Sequence, residues 1–163
     1  MSYSPPAFEA KIVDPVDLAG RIAALPRPLV FTNGVFDILH RGHVTYLAQA
    51  RSLGAHLVVA LNSDASARRL GKGPERPLNN QQDRATMMAA LESVSLVTWF
   101  DEDTPVKLIE AARPEVLVKG ADYTIEGVVG SDLVAGWGGE VKLAAALVAS
   151  FSVTGSPPIC VHR

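Results

Sequence analysis

Residues 29–43 read Leu-Val-Phe-Thr-Asn-Gly-Val-Phe-Asp-Ile-Leu-His-Arg-Gly-His, and this stretch decides the fold. An apolar, β-rich run from Leu29 to Phe31 stops at residues 32–34, Thr-Asn-Gly, which are suited to a tight turn. A helical spacing of apolar residues follows His43. The stretch therefore predicts a parallel strand that delivers a short polar loop to the start of a helix.

Two imidazoles, those of His40 and His43, fall at this predicted helix start. In an open α/β sheet, ligands bind at the carboxyl ends of strands, and the N–H groups and dipole of a helix start favour an anion. One histidine is more often an ordinary core or surface residue than a ligand. Two of the chain's four histidines in one strand–turn–helix context instead favour a functional site. We interpret the loop as a phosphate-binding site.

Composition restricts the class of protein. The 163 residues, 48% hydrophobic and 20% charged, are typical of one soluble globular domain. The net charge of −2 provides no basic surface for nucleic acid, so no nucleic-acid partner is expected. Cys160 is the only cysteine, so an internal disulfide is impossible. Neither a signal peptide nor a membrane-spanning run is recognisable, and we expect a cytoplasmic protein without membrane contact.

Hydrophobic periodicity predicts an α/β protein. We expect residues 1–26 to form an N-terminal arm, extended to residue 13, and a covering helix with Asp14 as its cap and Pro15 at its first position. Residues 27–163 would form the main part of a single domain. Its architecture is predicted as a Rossmann-like three-layer sandwich with a five-stranded parallel sheet, whose strand order reverses beside the first strand. The second, third and fourth strands are expected at residues 56–62, 95–100 and 116–119.

Polar residues at other strand ends extend the candidate site. Asn62 and Asp64 follow the second strand, where they either line the ligand site or cap the next short helix. Lys119 and Asp122 fall at the end of the fourth strand, again near the cleft. Arg84 lies in the first turns of a predicted helix. Because the helix dipole does not favour a cation there, we expect an anion to hold Arg84.

A basic, glycine-rich loop spans residues 65–77. It contains neither a Walker pattern nor a GxGxxG fingerprint. Lys72 stands between two glycines, which would let it move onto a phosphate when a lid closes. The alternative interpretation is an ordinary solvated loop.

Gly34-Val-Phe-Asp37, followed by His40-Arg-Gly-His43, resembles the signature of the HxGH nucleotidyltransferase superfamily. Residues 29–154 are similar to the heptose 1-phosphate adenylyltransferases of lipopolysaccharide core synthesis. The resemblance implies transfer of AMP from ATP to a sugar 1-phosphate without a covalent intermediate. It also implies Mg²⁺ held mainly by substrate phosphates rather than by a protein metal site, and a homo-oligomer, a dimer or larger.

The resemblance carries roles to particular residues. His40, His43 and Lys72 would be catalytic, the histidines holding the triphosphate and Lys72 contacting the transferring phosphate. Asp37 would orient an imidazole or touch the metal, and residues 119–123 would serve the sugar-phosphate side. The full set expected to bind substrates is Thr32, Asn33, Gly34, Phe36, Asp37, Gly42, Asn62, Asp64, Arg84, Lys119, Gly120, Asp122, Ser152 and Thr154.

The sequence departs from the family pattern near its end. Family members carry a Ser-Thr-Thr turn before a phosphate-binding helix, whereas here Val153 stands between Ser152 and Thr154. The following Pro157 and Pro158 disfavour a helix start. We therefore expect weaker ATP binding than in a relative with the full turn.

Two other functions remain open from the sequence. One is a cytidylyltransferase, or another adenylyltransferase of the superfamily, acting on a different phosphate acceptor. The second is a nucleotide-binding module without catalysis, since fold alone does not fix function. The HIGH-type aminoacyl-tRNA synthetases share the histidine motif. They are disfavoured by the acidic net charge and by the short chain.

Overall fold

The computed structural model describes residues 4–71, 73, 75–120 and 123–144. Within them lies one parallel sheet in the order β3-β2-β1-β4-β5. Its strands are β1 (Leu29–Gly34), β2 (His56–Asn62), β3 (Leu96–Phe100), β4 (Val116–Lys119) and β5 (Glu140–Leu143). The chain builds outward from β1 to β3 and then places β4 on the free side of β1. The strand order therefore reverses beside β1, which places the ligand crevice at the carboxyl ends of β1 and β4.

Helices cover both faces of the sheet. They are α1 (Leu18–Ala23), α2 (Arg41–Arg51), α3 (Asp64–Arg69), α4 (Gln81–Ala90), α5 (Val106–Ala112) and α6 (Ser131–Gly136). Leu18 of α1 and Ile109 of α5 pack on one face, while Leu47 of α2 and Met88 of α4 pack on the opposite face. The predicted three-layer α/β sandwich with five parallel strands is confirmed. No helix in the described part of the chain has the length and apolar character to cross a membrane.

The N-terminal segment differs from the extended arm that the sequence predicted. Residues Ala7–Lys11 form a 3-10 turn, and only the next two residues run beside the sheet. Ile12 pairs with Val97, and the Val13 amide donates to the Val97 carbonyl at 2.8 Å. These bonds fix the segment against β3. The domain boundary at residue 26 stays a prediction.

Strand β1 is longer than the sequence predicted. Residues 32–34 continue the strand instead of turning, because neighbouring strands pair with them. Thr32 aligns with Val59 on one side and Val118 on the other, and Gly34 still aligns with Leu61. The polar residues Thr32 and Asn33, with Gly34, therefore lie at the carboxyl end of a central strand.

Gly54 lies where the chain approaches β1 closely. A Cβ there would stand 2.6 Å from the Pro28 carbonyl oxygen and 2.7 Å from a methyl carbon of Val30. We predict that Gly54→Ala lowers the free energy of unfolding by about 1–3 kcal/mol, as overpacking does. Urea denaturation measures this. Gly20 in α1 is the control, because its Cβ would meet nothing within 4 Å. Equal effects of the two substitutions would contradict the close approach at Gly54.

Candidate active site

The loop after β1 ends in an imidazole pair at the start of α2. His40 is the N-cap residue, and its Nδ1 accepts the Gly42 N–H at 3.1 Å. The rings of His40 and His43 stack with their centroids 3.9 Å apart and an interplanar angle of 27°. Because Nδ1 of His40 is an acceptor, the neutral ring carries its proton on Nε2. Two imidazoles therefore stand together at the positive end of a helix.

His43 is half-buried beneath His40. The Phe36 ring meets it edge-on, with centroids 5.2 Å apart and an interplanar angle of 71°. Burial, and secondarily the charge of His40, lower the pKa of His43 below 6.5, partly opposed by the Ile38 backbone. Its Nδ1 is buried and has no hydrogen-bond partner of ordinary geometry among the described residues. His43 is thus a neutral imidazole near pH 7, suited to hydrogen bonding with a phosphate.

Asn33 and Lys119 lie at the carboxyl ends of the adjacent strands β1 and β4. The Lys119 Nζ lies 3.5 Å from the Asn33 carbonyl oxygen and 5.2 Å from the Tyr123 ring centroid. The Asn33 Oδ1 is buried without a partner among the described residues. Buried polar atoms nearly always have partners. Two of the three such atoms in the described chain, on Asn33 and His43, lie at this edge of the sheet, and they indicate a ligand site.

Arg84 of α4 is fully buried below this edge. Its guanidinium donates to three backbone carbonyls, those of Asn79 at 3.0 Å, Val35 at 2.8 Å and Asn62 at 2.9 Å. A fourth bond, of 2.7 Å, goes to the Asp64 carboxylate. The anion that the sequence predicted for Arg84 is therefore Asp64 in this structure. Arg84 joins the ends of β1 and β2 to the start of α4.

The Asp37 carboxylate also differs from its predicted role. It accepts from Arg76 at 2.6 Å, from the Leu78 N–H at 3.0 Å and from the Asn79 N–H at 2.9 Å. Among the described residues it forms no hydrogen bond with an imidazole, and the Nδ1 of His40 accepts a backbone amide instead. Asp37 therefore attaches the histidine loop to residues 76–79.

The cap of α3 is a different residue from the two candidates. Ser63 is the N-cap, and its Oγ accepts the Ser66 N–H at 3.0 Å. Asn62 instead donates its side-chain amide to Ser66 Oγ at 3.0 Å. Asp64 is free of the capping role and pairs with Arg84. The capping alternative for Asn62 and Asp64 is thus wrong.

Two predicted binding residues turn their side chains into the core. Thr32 is fully buried, and its Oγ1 lies 2.7 Å from the Tyr46 hydroxyl oxygen of α2. Phe36 is 8% exposed and packs in the core on that face. Its backbone has φ of 48°, a conformation that residues other than glycine rarely adopt. Both residues therefore support the loop from beneath.

A known protein family matches the part of the chain that contains this edge of the sheet. Residues 31–149 match the family described as cytidylyltransferase-like. The match includes most of β1, the imidazole pair, Arg84 and Lys119. The chain belongs to the cytidylyltransferase-like family. It is a nucleotidyltransferase, and the resemblance drawn from the HxGH motif is confirmed.

Several relatives of this cytidylyltransferase-like protein are described. A protein of Bordetella bronchiseptica named D-beta-D-heptose 1-phosphate adenylyltransferase is 60% identical over 134 residues, 81% of this chain and 83% of its own. The bifunctional protein HldE of Magnetococcus marinus is 60% identical over 127 residues, 78% of this chain. The HldE of Mesorhizobium japonicum is 54% identical over 158 residues, 95% of this chain. The chain spans 26% and 32% of these two bifunctional relatives.

Solved structures place the cytidylyltransferase-like fold in a wider group. The lipopolysaccharide core biosynthesis protein of Thermoplasma volcanium matches with a TM-score of 0.58 and 30% identity, over 71% of this chain and 92% of that protein. A pantoate-beta-alanine ligase of Francisella tularensis matches with a TM-score of 0.59 at 14% identity, over 81% of this chain and 65% of its own. The second likeness concerns the fold alone.

The structure gathers most of the predicted site residues at one edge of the sheet. Gly34 ends β1, Gly120 follows β4, and Gly42 lies in the first turn of α2. Lys72, Asp122, Ser152 and Thr154 lie outside the described residues, so their roles stay predictions. The weaker ATP binding expected from the altered turn falls on the same undescribed residues. The binding roles of the described residues also stay predictions, and their placement is what the structure adds.

Arg76 and Asn79 are site-forming residues that sequence reasoning missed. Arg76 pairs with Asp37, and Asn79 bonds both Asp37 and Arg84. The sequence does carry Asn79-Asn80 just before the helix of Arg84, but such a pair predicts a helix cap and no longer-range contact. Asn80 is indeed the N-cap of α4, whereas Asn79 bonds across to the histidine loop.

The lowered pKa of His43 gives a pH prediction. We expect an NMR titration of the free protein to place its pKa below 6.5, and His40→Ala to raise it by removing a neighbouring charge. Since the folded state resists this protonation, His43 opposes folding as pH falls below 6.5 and adds no such cost above it. A measured pKa at or above 6.5 would contradict the burial argument.

Proposed function

We propose that this nucleotidyltransferase transfers AMP from ATP to a heptose 1-phosphate, giving ADP-heptose and pyrophosphate for lipopolysaccharide core synthesis. The observation that carries the proposal is the stacked His40–His43 pair at the start of α2. It supplies two imidazoles at a helix N-terminus, where phosphates bind. The 60% identity to a named heptose 1-phosphate adenylyltransferase supports this acceptor.

The reaction needs no general base. A phosphate oxygen of the sugar 1-phosphate attacks the α-phosphorus of ATP in line and forms the new P–O bond. The bond from that phosphorus to the bridging oxygen breaks, and pyrophosphate leaves with the electron pair. The attacking oxygen is already an anion, so catalysis rests on positioning and on stabilising negative charge. His40 and His43 would hold the triphosphate for this attack, with Lys72 neutralising charge.

The other half of the site suits the acceptor. Lys119 is 9% exposed at the end of β4, beside the carbonyl of Asn33. A cation and an unpartnered amide oxygen together offer a phosphate contact and a hydroxyl acceptor. The acceptor sugar phosphate would therefore lie over β1 and β4, across from the histidine pair.

Magnesium would be held mainly by the substrates. Among the described residues, no group of three His, Cys, Asp or Glu side chains could hold a metal ion. The carboxylates of Asp37 and Asp64 are engaged by Arg76 and Arg84. The residues present thus fit an ion that keeps phosphate oxygens and water as most of its ligands. When bound, Mg²⁺ neutralises phosphate charge.

The cytoplasmic location and a homo-oligomer are further parts of this proposal. The location rests on the similarity to biosynthetic relatives, and the homo-oligomer rests on the family resemblance of the sequence alone. The acidic net charge of −2 supports the absence of a nucleic-acid partner.

A substrate panel tests the proposal. Pyrophosphate release is measured with ATP or CTP against heptose 1-phosphate, glycerol 3-phosphate and phosphopantetheine, and the products are separated by chromatography. We expect rapid release only with ATP and heptose 1-phosphate. Preference for CTP would favour a cytidylyltransferase, the activity named in the family description. Nucleotide binding without release from any pair would favour a non-catalytic module.

A further inference from the structure

Both oxygens of the Asp37 carboxylate accept hydrogen bonds from one short segment, residues 76–79. One oxygen accepts from the Arg76 guanidinium at 2.6 Å and the Leu78 N–H at 3.0 Å, and the other accepts from the Asn79 N–H at 2.9 Å. The Asn79 side-chain amide also donates to the Asp37 carbonyl. Asp37 is only three residues before His40 in the chain. The segment is thus attached directly to the histidine loop.

These contacts keep Asp37 ionised and occupied. Burial raises its pKa, but hydrogen bonds from Asn79, Arg76 and Leu78 outweigh burial and hold the pKa below 3.8. Its side chain is 11% exposed, against 41% for its partner Arg76. A carboxylate with this many donors is poorly placed to act as a base or to orient a ring.

Asn79 is held from its opposite side as well. Its carbonyl accepts the Arg84 Nε–H at 3.0 Å, and the same guanidinium donates to the Val35 carbonyl at 2.8 Å. Two routes therefore join residues 76–79 to the histidine loop, one through Asp37 and one through Arg84. We call the set of Asp37, Arg76, Asn79 and Arg84 the loop clamp.

We propose that Asp37 is a positioning residue, which fixes the histidine loop by attaching it to residues 76–79 through the loop clamp without touching the nucleotide. The inference rests on the proposed function. A reaction that depends on positioning is sensitive to a displacement of about 1 Å, which costs up to about 100-fold in rate. The loop clamp holds the backbone on the N-terminal side of His40, while α2 holds it on the C-terminal side.

Asp37→Asn tests the role with little change of shape. The amide keeps one acceptor oxygen but turns an NH₂ group towards donors on residues 76–79. We expect kcat to fall by about 10- to 100-fold, while the dissociation constant for ATP rises by a smaller factor, because the loop still carries both histidines. Hydrogen exchange at the Leu78 and Asn79 amides should become faster, because both donate to this carboxylate.

Glu115→Gln is the matched control at the opposite end of the sheet. The Glu115 carboxylate also accepts from a backbone amide, that of Leu29 at 2.6 Å, and from Arg27 at 3.1 Å. As for Asp37, burial raises its pKa, and hydrogen bonds outweigh burial and lower it. We expect a similar loss of thermal stability from Glu115→Gln and an unchanged kcat.

A double substitution tests whether Asp37 acts through Arg76. Adding Arg76→Gln to Asp37→Asn should lower kcat no further, since one contact has already been lost. Independent, multiplicative losses would overturn the proposal. So would a wild-type kcat in Asp37→Asn, or an equal loss of kcat and ATP affinity, which would indicate direct contact with the nucleotide.

Hydrogen exchange separates this proposal from the proposed function. Faster exchange at Leu78 and Asn79 in Asp37→Asn, with no adenylyl transfer by the wild type, would support the clamp contacts and remove the catalytic role. Unchanged exchange in an active enzyme would overturn the clamp and leave the proposed function standing.

Discussion

His43→Ala is expected to lower kcat for adenylyl transfer by about 100- to 1000-fold, the scale for losing one preorganised donor to developing charge. His43 lies in the first turn of α2, where the helix dipole favours negative charge. Its ring is held by His40 on one face and Phe36 at its edge, so its orientation is set before substrates bind. Steady-state assays of pyrophosphate release measure the loss.

His56 provides the control for that substitution. Its pKa is also lowered, first by burial and then by Arg51, and it begins β2 at the far end of the sheet from the site. His56→Ala is expected to leave kcat unchanged. Near-normal turnover by purified His43→Ala would remove His43 from the catalytic residues.

Arg84→Ala is expected to lower the free energy of unfolding by about 3–5 kcal/mol, the scale for breaking a buried ion pair by removing one partner. The Arg84 side chain is fully buried, and the substitution leaves three backbone carbonyls without the guanidinium that donates to them. It also leaves Asp64 without its cation. Urea denaturation measures the change, and Arg84→Lys, which keeps the charge but not the fork of donors, should lie in between.

Arg69 is the comparison for this effect. It bonds to Asp103 at 2.6 Å, but its side chain is 46% exposed and its partner's is 79% exposed. Exposed ion pairs contribute at most about 1 kcal/mol, so Arg69→Ala should have little effect. If Arg84→Ala were as stable as Arg69→Ala, Arg84 would not be the structural centre of the loop clamp.

The sheet could largely be predicted from local pattern. Strand β2 was predicted residue for residue, because His56–Asn62 is a nearly continuous apolar run bounded by polar residues. Strand β1 was predicted too short, since turn-prone residues 32–34 are held extended by β2, and Thr32 is also paired with β4. Local propensity contains no information on a partner that is 86 residues away, such as Val118 beside Thr32.

The candidate site also contains parts that the sequence could predict and parts that it could not. The imidazole pair could be located because its spacing and its helix are contiguous in sequence. Most partners of Arg84 and Asp37 could not, because they are backbone groups of other segments. Every residue has a backbone carbonyl, whatever its side chain. No sequence pattern therefore shows that the carbonyls of Val35 and Asn79 accept hydrogen bonds from the same guanidinium.

The bond from Val13 to Val97 has a consequence for handling the protein. In the part of the chain that the structure describes, strand β3 is the outermost strand on its side, and its sequence Leu-Val-Thr-Trp-Phe is mostly apolar with no proline or charge. Such a rim, when unpaired, is a template for adding strands of other molecules. Residues 12–13 of the same chain pair with part of that edge and cover it. A chain shortened past Val13 would keep its candidate site residues and yet expose a surface prone to aggregation.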